Sequence, residues 1–167
     1  YSATEHCYLE SLRIYKDVLG INHPDYARCL NSLGGLYYEQ GNYSAAEHCY
    51  LESLRIIKEV LGENHHDYSG CLKNLGALYA NQGNYSAAEQ YLVKSLNISK
   101  LHFLTSLEYM TEHERALFWR TIQGDFEYSY PLFTYRYHFT NPSISTFAYD
   151  NELFRKGLLL NSADAVR

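Results

Sequence analysis

At 167 residues, with 46% hydrophobic and 20% charged residues, the chain has the composition of a folded protein rather than a disordered one. A formal charge of −5 without a Lys/Arg run argues against nucleic acid and anionic membrane surfaces as main partners, since both need a basic patch. No stretch approaches the roughly 18 apolar residues of a membrane-spanning helix.

The chain opens at Tyr1 in the middle of a repeating unit and is expected to be a piece of something longer. Residues 1–42 realign on 43–84 without a gap, with 30 of the 42 positions identical. A third copy starts at Tyr85 and loses the pattern after about Lys100. A fixed period of this kind means stacked supersecondary units, none of which buries its apolar face alone.

In chain order, the first predicted element is a long helix over about 3–19. It lacks the short helix that should cover it, so Tyr8, Leu12 and Val18 are expected to be partly exposed and to promote weak end-to-end self-association. Gly20 ends this helix, and Pro24 and Asp25 suit the first turn of the next. Over residues 26–40, Leu30, Leu33 and Tyr37 recur at three and four, predicting a short amphipathic helix. Gly41-Asn42 supplies a stop and a tight turn. Over 43–61, Ala46, Tyr50, Leu54, Ile57 and Leu61 recur in the same way, predicting a second, longer helix that ends at Gly62. Each period is therefore a helical hairpin, with one repeat over 24–61 and another over 66–104.

Leu30, Leu33, Gly34, Tyr37, Gly41, Tyr43, Ala46, Tyr50 and Leu54, and their counterparts Leu72, Leu75, Gly76, Tyr79, Gly83, Tyr85, Ala88, Leu92 and Leu96, resemble the signature of the tetratricopeptide repeat. The 42-residue period and the Gly20, His23, Pro24, Asp25 linker resemble the subclass found in kinesin light chains and many bacterial proteins. Two departures stand out: the period exceeds the usual 34, and Ser53 and Ser95 occupy positions where that family has alanine. The resemblance implies an all-α fold, a right-handed superhelical solenoid of tetratricopeptide-type hairpins over 1–104, followed by a helical extension over 105–167.

In the carboxy-terminal third, Thr111-Glu112-His113-Glu114 has the pattern of a capping box, predicting a helix to about Gln123. Phe126, Tyr130, Phe133 and Tyr137 predict another helix, and a last one is expected over 145–160. The strings at 111–119 (TEHERALFW) and 148–160 (AYDNELFRKGLLL) resemble the region that joins tetratricopeptide repeats to the caspase-like peptidase domain of bacterial CHAT proteins. That resemblance carries over no catalytic residue. It implies a regulatory amino-terminal arm whose partner is its own peptidase domain.

The four cysteines and eight histidines offer no CxxC or HxxxH pair. Cys7 and Cys49 are repeat-equivalent, as are Cys29 and Cys71, and one repeat is too wide a gap for a disulfide. They are expected to be reduced core residues, in keeping with a cytoplasmic setting. His23 and His65 lie in inter-repeat turns, where an imidazole can bond loop backbone; His6 and His48 are expected to be solvated. Gly34, Gly35 and Gly76 are expected to serve close helix packing, and Tyr37, Tyr43, Tyr50, Tyr79 and Tyr85 the core. No nucleophile, base and orienting group can be assembled, so no catalytic site, metal or cofactor is expected.

The two full periods differ at 12 positions, and seven of these fall in the short helix. Five of the seven, Arg28, Asn31, Gly35, Tyr38 and Glu39, line the concave groove in proteins resembling this one; their counterparts are Gly70, Lys73, Ala77, Ala80 and Asn81. Divergence confined to a groove fits an asymmetric ligand on a common scaffold, and free drift of exposed positions would give the same pattern. The expected contacts of a protein or peptide partner are Arg28, Asn31, Tyr38, Glu39, Lys73 and Asn81.

Overall fold

Each period carries two apolar stripes, and a glycine forced into the left-handed region closes each one. Gly41, at φ 76°, ends the short helix and Gly62, at φ 88°, the long one, while no other residue type has a positive φ among the described residues. The result is five helices in chain order: α1 (Ser2–Leu19), α2 (Pro24–Glu39), α3 (Tyr43–Leu61), α4 (His66–Asn81) and α5 (Tyr85–Leu107). No strand occurs among the described residues. The computed structural model describes residues 2–107, 109–111, 113, 114, 117 and 120.

α2 begins two residues before the apolar spacing suggests, because the turn histidine caps it. His23 Nδ1 accepts the Asp25 N–H at 3.2 Å, and Pro24 occupies the first turn. His65 does the same for α4, accepting the Asp67 N–H at 3.1 Å. Asn42 and Asn84 cap α3 and α5 by accepting the Ala45 and Ala87 N–H groups, each at 3.3 Å. The expected backbone role of the turn histidines is thus that of helix caps.

α2 and α3 pack as a hairpin, α1 packs on α2, and α3 packs on α4. Leu30, Leu33, Ile56, Ile57 and Leu72 form the core where these helices meet. Leu12 belongs to the same buried cluster, which corrects the expectation that it is partly exposed: α2 covers it. Tyr8 is half-buried and Val18 is exposed.

Close packing explains two of the four helix-interior glycines, Gly34 and Gly76; at Gly70 a Cβ would meet nothing within 4 Å. A Cβ on Gly34 would stand 2.7 Å from the Tyr50 ring, and one on Gly76 would stand 2.5 Å from Leu92 Cγ. Gly35 is different, because a Cβ there would meet nothing closer than the Tyr50 hydroxyl at 3.8 Å. The packing explanation does not extend to Gly35.

The two serines at alanine positions have a physical role. Ser53 Oγ, fully buried, donates to the Ala27 carbonyl at 2.7 Å, and Ser95 Oγ donates to the Ser69 carbonyl at 2.9 Å. Ser69 Oγ returns a bond to the Ser95 carbonyl at 3.0 Å. Each hydroxyl ties a long helix to the backbone of the short helix before it, a polar clasp inside an apolar seam.

The chain divides into two compact units, Tyr1–His102 and Phe103–Arg167, and each is described by itself. In the second, the capping box closes as its pattern predicts: Glu114 Oε2 accepts the Thr111 N–H at 2.8 Å and Thr111 Oγ1 accepts the Glu114 N–H at 3.3 Å. His113, Glu114, Leu117 and Arg120 are helical. The helix end near Gln123 and the helices predicted over 126–137 and 145–160 lie outside the described residues.

Candidate functional site: a cleft between the short helices

α2 and α4 lie side by side as the short helices of successive repeats. Between them is a cleft of about 340 Å³, walled by Asn31, Ser32, Gly35, Tyr38 and Glu39 of α2 and by Asn74 and Ala77 of α4, with Tyr50 of α3 at its floor. Asn74 Nδ2 donates to Asn31 Oδ1 at 3.1 Å across the two helices. Asn81 Nδ2 donates to the Tyr38 hydroxyl and, at 3.3 Å, to the carbonyl of Ala77.

Three of the six sequence-predicted contacts, Asn31, Tyr38 and Glu39, line this cleft, and Asn81 touches it through Tyr38. Arg28 lies elsewhere. Its guanidinium bridges Asp25 Oδ1 at 2.6 Å and Asp67 Oδ2 at 2.8 Å, joining the starts of α2 and α4. The Asp25 hydrogen bond first, then that to Asp67, holds its pKa above the ordinary arginine value. Lys73 is half-buried one residue before Asn74.

Sequence reasoning missed Ser32, Asn74 and the floor residue Tyr50. Realignment pairs Asn31 with Lys73, 42 residues on, but the side chains that meet are 43 apart: Asn31 with Asn74, and Tyr38 with Asn81. Equivalence in a repeat is not contact between repeats, and a one-residue offset between neighbouring helices would have found Asn74. Tyr50 is buried, and its ring lies against Gly34. Burial above all, then the neighbouring Tyr38, Cys49 and Glu39, pushes its phenol up to about 12.

Of the other tyrosines, Tyr68 is buried in the core, Tyr43 and Tyr85 are half-buried, and Tyr37 and Tyr79 are half-buried and pack against the core. The hydroxyls of the last two reach carboxylates of the long helices: Tyr37 donates to Glu5 Oε1 at 3.0 Å and Tyr79 to Glu47 Oε1 at 2.5 Å. Burial and these carboxylates raise both phenol pKa values.

A second cluster brings ligand-type atoms of His65, His66 and Asp67 within 4.8 Å of one another. Each is already engaged. His65 Nδ1 spends its lone pair on the Asp67 N–H, which leaves the ring proton on Nε2, and Asp67 Oδ2 accepts from Arg28. His66 Nε2 lies 3.0 Å from Asp67 Oδ1. Chelation would cost α4 its cap and oppose the Arg28 charge, so the donor set suits a capped helix start better than a cation.

Cys29, Cys49 and Cys71 are buried, and burial pushes all three thiols up, away from the reactive thiolate. Cys7 is exposed. No helix among the described residues is long and apolar enough to cross a membrane.

No curated protein matches the sequence. Among solved structures, the crystal structure of BtubC (BKLC) from P. vanneervenii superposes with a TM-score of 0.63 at 17% sequence identity, over 92% of this chain and 57% of that one. The present chain thus spans little more than half the length of that protein, and the likeness is one of fold. The family model described as tetratricopeptide repeat matches residues 1–59 and 39–100, most of the helical hairpins described above. The chain belongs to the tetratricopeptide repeat family.

Proposed function

We propose that the chain is a protein-interaction module that holds a segment of a partner protein in the cleft between α2 and α4. Tetratricopeptide repeats generally mediate protein–protein interaction and typically act as non-enzymatic scaffolds. The observation that carries the reading is the coincidence of two independent patterns: positions that differ between near-identical periods, Asn31, Gly35, Tyr38 and Glu39, wall the cleft. Positions that pack, Leu30, Leu33, Leu72 and Leu75, are the same in both periods and buried. Arg28, Lys73 and Asn81 extend the contact surface to either side.

Truncating Asn31, Tyr38 and Lys73 together to Ala leaves the fold intact, at a cost of about 1 kcal/mol for each hydrogen bond lost between α2 and α4. Binding of a partner captured from the source cell falls far more, because an aromatic anchor at an interface centre is worth roughly 2 kcal/mol or more. Undiminished capture by the folded triple variant would sink the groove reading. It would shift the case to residues 126–137 and a regulatory arm of a CHAT-type peptidase.

A further inference from the structure

The floor of the cleft contains a polar group that no described residue bonds. Tyr50 is 3% exposed, its ring is fixed against Gly34, and its hydroxyl opens into the cleft beside Gly35. Among the described residues that hydroxyl has no hydrogen-bond partner. Tyr37, Tyr38, Tyr68 and Tyr79, by contrast, each bond a side chain of another helix. An unmet buried hydroxyl is costly, so the group that satisfies it is expected to come from outside the chain.

The surroundings define the chemistry of that group. Glu39 is the one ionised side chain lining the cleft, it is negative, and the whole chain carries −5. Asn31 Oδ1 keeps one lone pair beyond its bond from Asn74, and Asn74 contributes a second amide oxygen. The Tyr38 ring forms a wall. Acceptors spread over two helices, a carboxylate at the rim and an aromatic face call for a planar cation with several donors. An acidic group would meet Glu39 with no cation among the lining residues to offset it.

The seat is single. In the next repeat, over 66–104, Gly35, Tyr38, Glu39 and Tyr50 are replaced by Ala77, Ala80, Asn81 and Leu92, which removes the opening, the wall, the charge and the floor hydroxyl together.

We propose that the cleft over Tyr50 seats the guanidinium of an arginine side chain of the partner segment, an inference that rests on the groove reading. The guanidinium lies between Tyr38 and the Tyr50 hydroxyl, pairs with Glu39 and donates to the amide oxygens of Asn31 and Asn74. Because burial keeps the Tyr50 phenol protonated, its oxygen accepts from the guanidinium while its proton remains available to a second acceptor.

The probe is the blocked peptide acetyl-Ala-Ala-Arg-Ala-Ala-amide, titrated into the 167-residue chain and followed by the backbone amide resonances of Gly35, Tyr38 and Asn74. These should shift, with a dissociation constant of the order of millimolar for one side chain. Replacing Arg by citrulline, which keeps the shape and loses the charge, should weaken binding about tenfold. The Lys peptide should be about threefold weaker than the Arg peptide, and the Glu peptide should leave the three resonances unmoved. Glu39→Gln should cost about fivefold in affinity for the Arg peptide. Tyr50→Phe should weaken the peptide by a similar factor while leaving Tm equal or higher, because the hydroxyl has no internal bond to lose. Gly35→Leu, which fills the seat, should abolish the shifts.

Equal binding of the citrulline or Glu peptide, no localised shift, or Tyr50→Phe lowering Tm with peptide affinity intact would each overturn the arginine seat. Absent peptide binding together with lost capture by the groove triple variant sinks the seat and leaves the groove. Undiminished capture by that variant sinks the groove itself.

Discussion

Residues 1–19 and 43–61 are nearly the same sequence, differing at Thr4/Ala46, Tyr15/Ile57 and Asp17/Glu59, yet α1 and α3 bury different sets of side chains. Ile56 is fully buried while its counterpart Ile14 is 48% exposed; Cys49 is buried and Cys7 is not. The difference lies in the neighbours. α3 packs on α2 before it and α4 after it, whereas α1 packs chiefly on α2 among the helices described. Leu12 and Tyr8 belong to the cluster that α2 helps to form, whereas Cys7 lacks the α2 backbone that its counterpart Cys49 meets at Gly34. Burial in a repeat protein is thus a property of the stack rather than of the residue.

The largest expected contrast is in thiol chemistry. Cys49 and Cys71 become reachable only when helices separate, whereas Cys7 is reachable in the native state. With local opening free energies of about 3 kcal/mol or more, a thiol reagent should modify Cys7 about a hundredfold faster than the other three. Stopped-flow labelling would resolve one fast and three slow thiols. Four comparable rates would mean that the α2–α3 seam is not closed.

Next comes stability. Ile56→Ala should cost roughly 2–5 kcal/mol through lost burial and a cavity, while Ile14→Ala should cost less than about 1 kcal/mol. Urea unfolding of the two variants measures the difference directly, and equal costs would show that α1 is covered by something beyond the described residues. The paired serines give a smaller version of the same test. Ser53 bonds the Ala27 carbonyl of a different helix, whereas Ser11 bonds only the Cys7 carbonyl of its own helix, at 2.8 Å. Ser53→Ala should cost about 1 kcal/mol, and Ser11→Ala should stay within about 0.5 kcal/mol.

The period and its glycines made most of the fold legible, because apolar spacing and left-handed stops are local properties that survive without tertiary knowledge. The end of α3 at Leu61 and the turn at Gly41 follow directly from them. Covering was less legible. The sequence alone leaves Leu12 partly exposed, because a missing neighbour is visible in the repeat pattern and the face toward α2 is not. At the cleft, comparison of periods pointed to Asn31, Tyr38 and Glu39 because those positions differ. Tyr50 escaped that comparison because position 8 is also tyrosine, so the residue with the unmet hydroxyl carries no difference between the two full periods. Arg28 differs between periods for another reason: it joins α2 to Asp67, an inter-repeat tie that Gly70 does not repeat.

The smallest expected effect sharpens the same comparison at the caps. His65 holds the start of α4 through its neutral Nδ1, and burial first, then His66, lowers its pKa below the ordinary 6.5; Arg28 and His102 add to this and Asp67 opposes it. Between the lowered folded value and 6.5 the unfolded chain therefore binds more protons than the folded one. The contribution of His65 to stability is complete above about pH 6.5 and is lost as pH falls through the folded value. His65→Asn keeps a side-chain acceptor at the cap and removes the titration. Thermal unfolding at about pH 7.5 and about pH 5.5 should show the parent losing more stability on acidification than His65→Asn, by less than the Ser53→Ala effect. Identical losses would mean that the imidazole proton is not coupled to the cap.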